Sequence, residues 1–220
     1  MIDTLGSKLE GLTAAALTDA VGRLCSHRAH ILDLVSPTPG RILFGRAATI
    51  RYIPYRDDLA DEAMPGFAGA FYRAIAEDFE DKVLVLNNPC RADTSIGGGV
   101  KFSRLHNHRV AGLLTDARIR DFGELAGYHP VFYCGGEAAQ AGTRALMPVA
   151  VNVPVELRGT AIFPGDYIYA DSAAAVVIPA RHIERALDLA HAIDEEDKDF
   201  LLAIRNETPD TVRQRGSAEN

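Results

Sequence analysis

The chain has 220 residues, 47% of them hydrophobic, which suits a folded core and excludes a disordered polymer. Its formal net charge of −7 argues against a general nucleic-acid binder, which would show a basic face, but a local arginine cluster could still hold a small anion. Cys25, Cys90 and Cys134 are far apart and odd in number, so no disulfide framework or zinc knuckle is expected and they read as small buried hydrophobes. The N-terminus lacks the basic region and long apolar stretch of a signal peptide, and no apolar run approaches the roughly 18 residues of a membrane span. A cytoplasmic protein with no membrane partner is therefore expected.

In chain order, "LTAAALTDAVGRL" (12–24) predicts a helix with Thr13 as N-cap and Leu17, Val21 and Leu24 on one face. "SPTPG" (36–40) breaks the chain, and "RAATIRYIPY" predicts a strand ending near Pro54. A polar loop follows, then a helix marked by Phe67, Phe71 and Ile75. The nearly all-apolar "KVLVLN" (82–87) and "VAGLLTD" (110–116) predict strands buried on both faces, with a helix between them that turns Phe102 and Leu105 inward. "PVFYC" (130–134) predicts a further strand. "VNVPVEL" (151–157) alternates and predicts one half-exposed strand; "PGD" (164–166) is a turn before two more strands in "YIYAD" and "AAVVIP". A long helix is expected over about 180–204, with Ile183, Leu187, Ala190 and Ile193 on its buried face. Strand–helix–strand at the centre, with β-rich flanks and no repeat, predicts one mixed α/β domain over residues 1–205 and a polar, frayed tail over 206–220.

Two stretches carry chemistry. The triplet Gly97–Gly99 precedes a helix, where glycines let amides approach a ligand and the helix N-terminus favours an anion. The amides of Gly99, Val100 and Lys101 could cradle a carboxylate or phosphate; alternatively the loop needs glycine only for positive φ. About ten residues separate the glycines from the preceding strand and G-x-G-x-x-G is not met, so no dinucleotide or S-adenosylmethionine site is legible. The second stretch is "TDARIRDFGEL" (115–125), just past the carboxyl end of a central strand, where α/β sheets bind ligands. Arg120 can grip a carboxylate with two hydrogen bonds, and Asp121 can hold Mg²⁺, which takes one or two carboxylates beside water. A surface ion pair is the competing reading. His106 and His108 do not share a helix face, His182 and His191 read as solvent-facing, and "DEEDKD" (194–199) reads as a solvated helix face.

Together, "DA" (19–20), "GRAATI" (45–50), the glycine turn, "VAGLLTDARIRD" and "PGDYIYAD" resemble the RraA-like family, in order and spacing, over roughly residues 10–200. That family includes aldolases of 4-hydroxy-4-methyl-2-oxoglutarate and 4-carboxy-4-hydroxy-2-oxoadipate, members labelled demethylmenaquinone methyltransferase-like, and RraA regulators that bind a protein partner. The resemblance implies a single swivelling β/β/α domain with a long C-terminal helix, assembled as a homotrimer or hexamer with interfacial sites. It implies Mg²⁺ or Mn²⁺ as cofactor and a pyruvyl 2-keto acid as substrate, cleaved by a retro-aldol or oxaloacetate-decarboxylase-like lyase reaction. Arg120 would bind the substrate, with the amides after Gly98. Asp121 would hold the metal, with Glu124 as the carboxylate three residues on. Asp194 and Glu195 would reach the metal waters of a neighbouring subunit. The chain departs from the pattern at Gly99, twenty-one positions before Arg120, where aldolase members carry an acid. An acid restored there would raise activity if the backbone tolerates a Cβ. The alternative is a non-catalytic regulator.

Overall fold

A computed structural model describes residues 2–59, 66–75, 79–90, 93–142, 144–209 and 213. The chain opens with helices α1 (Ile2–Ser7) and α2 (Ala14–Gly22), then strands β1 (His30–Ile31) and β2 (Leu43–Pro54), helix α3 (Gly66–Ile75) and strand β3 (Lys82–Leu86). Helix α4 (Gly99–Asn107), strands β4 (Gly112–Thr115) and β5 (Arg118–Ile119), the short helix α5 (Phe122–Leu125), and strands β6 (Val131–Tyr133) and β7 (Gly136–Glu137) form the centre. Strands β8 (Leu146–Val151), β9 (Val155–Leu157), β10 (Thr160–Ile162), β11 (Tyr167–Ala170) and β12 (Ala175–Ile178) follow, and helix α6 (Ile183–Arg205) closes the order.

The main sheet runs β1-β12-β11-β2-β3-β4-β6, with β8 also paired to β2. The long β2 makes this possible. Its start pairs antiparallel with β11, its middle parallel with β3, and its end antiparallel with β8. A register shift between Arg51 and Tyr52 bends that end, and the sheet curls into a half-barrel. Strands β3 and β4 are nearly all apolar, Lys82 and Thr115 at their ends apart, because both faces are covered. Val83 and Val85 face the inside of the curl with Ile168, Val177 and the β9–β10 hairpin. Leu84 and Leu86 face outward onto α3, α4 and α5, where Phe71 and Phe102 are fully buried. Helices α1, α2 and α6 cover the β11–β12 end in a separate cluster around Tyr169.

The expected strands at 82–87 and 110–116 and the helices carrying Phe67, Phe102 and Ile183 are present. Thr13 caps α2, its hydroxyl accepting from the Ala16 amide at 3.2 Å. The single strand expected over 151–157 is instead broken. Asn152 takes φ 49°, which Asn tolerates better than most residues, and Pro154 supplies no amide. The Asn152 side chain donates to Ala74 O at 2.9 Å, and its own amide to Thr49 O at 2.8 Å. The alternation therefore belongs to two strands of different sheets, β8 paired with β2 and β9 with β10.

Two smaller expectations change. Cys134 is buried, but Cys25 is half-buried and Cys90 exposed. His191 is not simply solvent-facing, because Nε2 lies 2.8 Å from Lys8 O and ties α6 to the end of α1. His106 and His108 serve packing: His106 Nδ1 accepts from the His129 amide at 2.9 Å, and His108 Nε2 lies 3.3 Å from the Tyr72 hydroxyl. Of the expected tail, 210–212 and 214–220 lie outside the described residues.

Candidate functional site

Beyond the carboxyl ends of β3 and β4, the segment 95–97 runs beside 118–120. Ile96 donates to Arg118 O at 2.9 Å and Arg120 to Gly97 O at 3.0 Å. This pairing brings the glycine turn against the Arg120–Asp121 turn. None of Gly97, Gly98 and Gly99 has positive φ, and Gly98 is extended at φ −159°. The triplet is needed for close approach instead. A Cβ on Gly97 would strike the Phe102 ring, and one on Gly98 would strike the side chains of Arg120 and Asp121.

The left-handed residue is Asp121, at φ 65° and ψ 41°. This conformation costs about 1–2 kcal/mol for an ordinary L-residue and less for Asp. It aims the carboxylate back at α4, where Oδ2 accepts from the Gly99 amide at 3.0 Å and lies 3.5 Å from Arg120 Nε. The first intrahelical bond of α4 is Phe102 N to Gly98 O, so the Val100 and Lys101 amides precede the ladder. The expected three-amide cradle is thereby narrowed, since Gly99 already donates to Asp121. Negative charge remains favoured there by the helix N-terminus.

Glu124, on α5, fills the space beside Gly99 that a Cβ would need. The Tyr128 hydroxyl donates to Glu124 Oε1 at 2.6 Å, with Gly99 O a longer alternative at 3.2 Å. That carboxylate, more than burial, pushes the Tyr128 hydroxyl up to about 12. Sequence reasoning misses Tyr128, which lies just past the end of α5; its spacing of four from Glu124 is the one signal in the sequence.

Next to this turn lies a cavity of about 360 Å³ walled by Phe67, Ala68, Gly98, Lys101, Arg104 and Arg120 among others. Lys101 donates to Ile96 O at 2.6 Å, and its pKa is brought down to about 8, first by burial and then by Arg120 and Arg104. Arg118 points elsewhere. Nη1 donates to Glu137 O at 3.0 Å, and the side chain lines a second cavity with Asp116, Glu156 and Arg158. Asp116 accepts from the Asn88 amide at 2.7 Å, and burial pushes its carboxyl up to about 6.

One chain thus brings together Gly98, Gly99, Val100, Lys101, Arg120, Asp121 and Glu124. Asp194 and Glu195 are not part of this constellation. They lie toward the exposed end of α6, which packs on α2, and Glu195 pairs with Lys198 at 2.5 Å. Among the described residues, no group of three or more His, Cys, Asp or Glu gathers to hold a metal. Among the described residues of this turn, Asp121 and Glu124 offer hard oxygen donors, a set that fits Mg²⁺ or Mn²⁺, which takes one or two carboxylates and keeps several waters. No helix among the described residues is long and apolar enough to cross a membrane.

These features define a mixed α/β protein with a curled half-barrel sheet and a long C-terminal helix. The chain belongs to the RraA-like family, whose model, described as Aldolase/RraA, matches residues 14–177. It is similar to protein DlpA of Legionella pneumophila, 23% identical over 210 residues, which are 92% of this chain and 32% of that protein. The chain therefore spans about a third of the length of this curated relative. Among solved structures it is similar to an uncharacterized protein from Pseudomonas syringae pv. tomato, with a TM-score of 0.79, 23% identity, and coverage of 98% and 95% of the two chains. It is also similar to Streptomyces coelicolor RraAS2, described as an unusual member of the RNase ES inhibitor RraA protein family, with a TM-score of 0.75, 25% identity, and coverage of 92% and 98%. The family includes aldolase or lyase members and ribonuclease inhibitors.

Proposed function

We propose that this chain is a lyase acting on a pyruvyl 2-keto acid, by retro-aldol cleavage or decarboxylation, with Mg²⁺ or Mn²⁺ held by Asp121 and assisted by Glu124. The observation that carries this reading is the packing of Arg120 against the glycine turn at the N-terminus of α4, with Asp121 bonded to the Gly99 amide. Arg120 grips the substrate carboxylate bidentately, and the Val100 and Lys101 amides add donors. Cleavage of the carbon–carbon bond leaves a pyruvate enolate whose charge develops beside the Arg120 guanidinium and the positive end of α4, where stabilisation lowers the barrier. The cation, when bound, supplies Lewis-acid polarisation of the keto group. Asp194 and Glu195 would act from a neighbouring subunit in a homotrimer or hexamer.

The test is pyruvate release from oxaloacetate and from branched 4-hydroxy-2-keto acids, with and without Mg²⁺. Mg²⁺-dependent release from either supports the reading; no release from any of them removes it. A second reading, a non-catalytic regulator binding a protein partner, is favoured by the lack of a side chain at Gly99 and by the likeness to RraAS2. The absence of pyruvate release would leave that reading standing.

A further inference from the structure

The cavity beside Arg120 is walled by three cations. Lys101, Arg104 and Arg120 line it together, and no carboxylate side chain is among its described lining residues. Lys101 differs from the two arginines. Its side chain enters from the first turn of α4, and its nitrogen lies 5.2 Å from the centroid of the Phe67 ring. Its hydrogen bond goes to a backbone carbonyl, Ile96 O, at 2.6 Å, rather than to a carboxylate. A structural lysine usually reaches water or an acid, because a buried ammonium without a counter-ion is destabilised. Here the nearby charged groups that act on it, Arg120 from the facing turn and Arg104 from its own helix, are both cationic.

We propose that Lys101 is a further catalytic residue of this site, the amine that exchanges a proton with C3 of the bound three-carbon keto acid. After carbon–carbon cleavage, the enolate electron pair at C3 takes a proton from the Lys101 ammonium. The C3–H bond forms, the N–H bond breaks, the C2 carbonyl is restored, and Lys101 is left as a neutral amine that solvent reprotonates. In reverse, the neutral amine removes a methyl proton from bound pyruvate. The chemistry suits the residue. Burial and the two guanidiniums hold its pKa near 8, so both protonation states are populated around neutral pH, as a proton-transfer group requires. Neither arginine can serve, because a guanidinium stays protonated.

This inference rests on the keto-acid reading above, and the experiment separates the two. Exchange of the pyruvate methyl protons in D₂O is followed by proton NMR with Mg²⁺ present, and binding of pyruvate and oxalate is measured in parallel by thermal protection. Wild type is expected to catalyse exchange at a rate that rises with pH up to about 8 and then levels. Lys101→Arg keeps the charge but cannot release its proton, so it should lose on the order of a hundredfold or more in exchange while still binding oxalate. Lys101→Met should lose exchange as well, and if it folds poorly the arginine variant still decides. Exchange in Lys101→Arg close to that of wild type, or a wild-type profile flat between pH 7 and about 9, overturns the role of Lys101. Wild type that binds keto acids without exchanging them also overturns it. Wild type that binds neither pyruvate nor oxalate overturns the keto-acid reading and this inference with it.

Discussion

The Glu124 carboxyl occupies the space that a Cβ on Gly99 would need, and the Tyr128 hydroxyl holds it there, 2.6 Å from Oε1. Position 99 is therefore filled in space although it is empty in sequence. Gly99→Asp alone should not restore activity. It must push Glu124 off Tyr128, a small-to-large change costing about 1–3 kcal/mol, seen as a lower Tm. The double variant Gly99→Asp with Glu124→Ala should recover most of that loss. A Gly99→Asp protein as stable as wild type and faster in pyruvate release would show that the clash is imaginary.

Asp121 holds a left-handed conformation that Asn also tolerates. Asp121→Asn thus changes the charge with little change in the backbone. It should weaken Mg²⁺ or Mn²⁺ binding about tenfold or more, and Glu124→Gln should weaken it less. Titration calorimetry giving equal metal affinity for wild type and Asp121→Asn removes Asp121 from the proposed metal site.

Arg118 and Arg120 are two apart but serve different cavities. Arg120→Lys keeps the charge and loses the planar fork, so protection against heat by oxalate should fall substantially. Arg118→Lys should leave that protection nearly unchanged. Equal protection in wild type and Arg120→Lys would place the anion elsewhere.

Asp116 links stability to pH. Its carboxyl is raised from 3.8 to about 6 by burial, so the folded state binds the proton more tightly than the unfolded state. That contribution is complete below about pH 4 and is lost as pH rises through about 6. Asp116→Asn keeps an acceptor for the Asn88 amide and removes the charge. At pH 7 it should be more stable than wild type by about 1–2 kcal/mol, after discounting for partial exposure, and the gap should close toward pH 4. Denaturant unfolding at several pH values checks the sign.

The exposed end of α6 carries Phe200, Leu201, Leu202 and Ile204, all more than half exposed. Burial of such a patch against another copy fits the trimer or hexamer proposed above. Light scattering at micromolar concentration should give at least a trimer. A strict monomer would leave Asp194 and Glu195 without a neighbouring site to serve.

What the sequence determined by itself is local or repetitive. The nearly all-apolar runs of β3 and β4 declare strands covered on both faces. The spacing of Ile183, Leu187, Ala190 and Ile193 declares α6, Thr13 declares a helix start, and the ordered motifs declare the family. The tertiary structure decided what depends on residues far apart in the chain. Only the pairing of 95–97 with 118–120 lets Asp121 take the Gly99 amide and Glu124 fill the space beside it. Only the packing of α3 over α4 half-buries the Lys101 side chain beside Phe67, in a cavity that Arg104 and Arg120 also line. The break at Asn152 is likewise invisible to alternation, because its amide and side chain are held by Thr49 and Ala74 from other elements. Periodicity records which face of an element is apolar; the charge, space and hydrogen-bond partners of a site depend on which elements meet, and that follows from how the sheet curls.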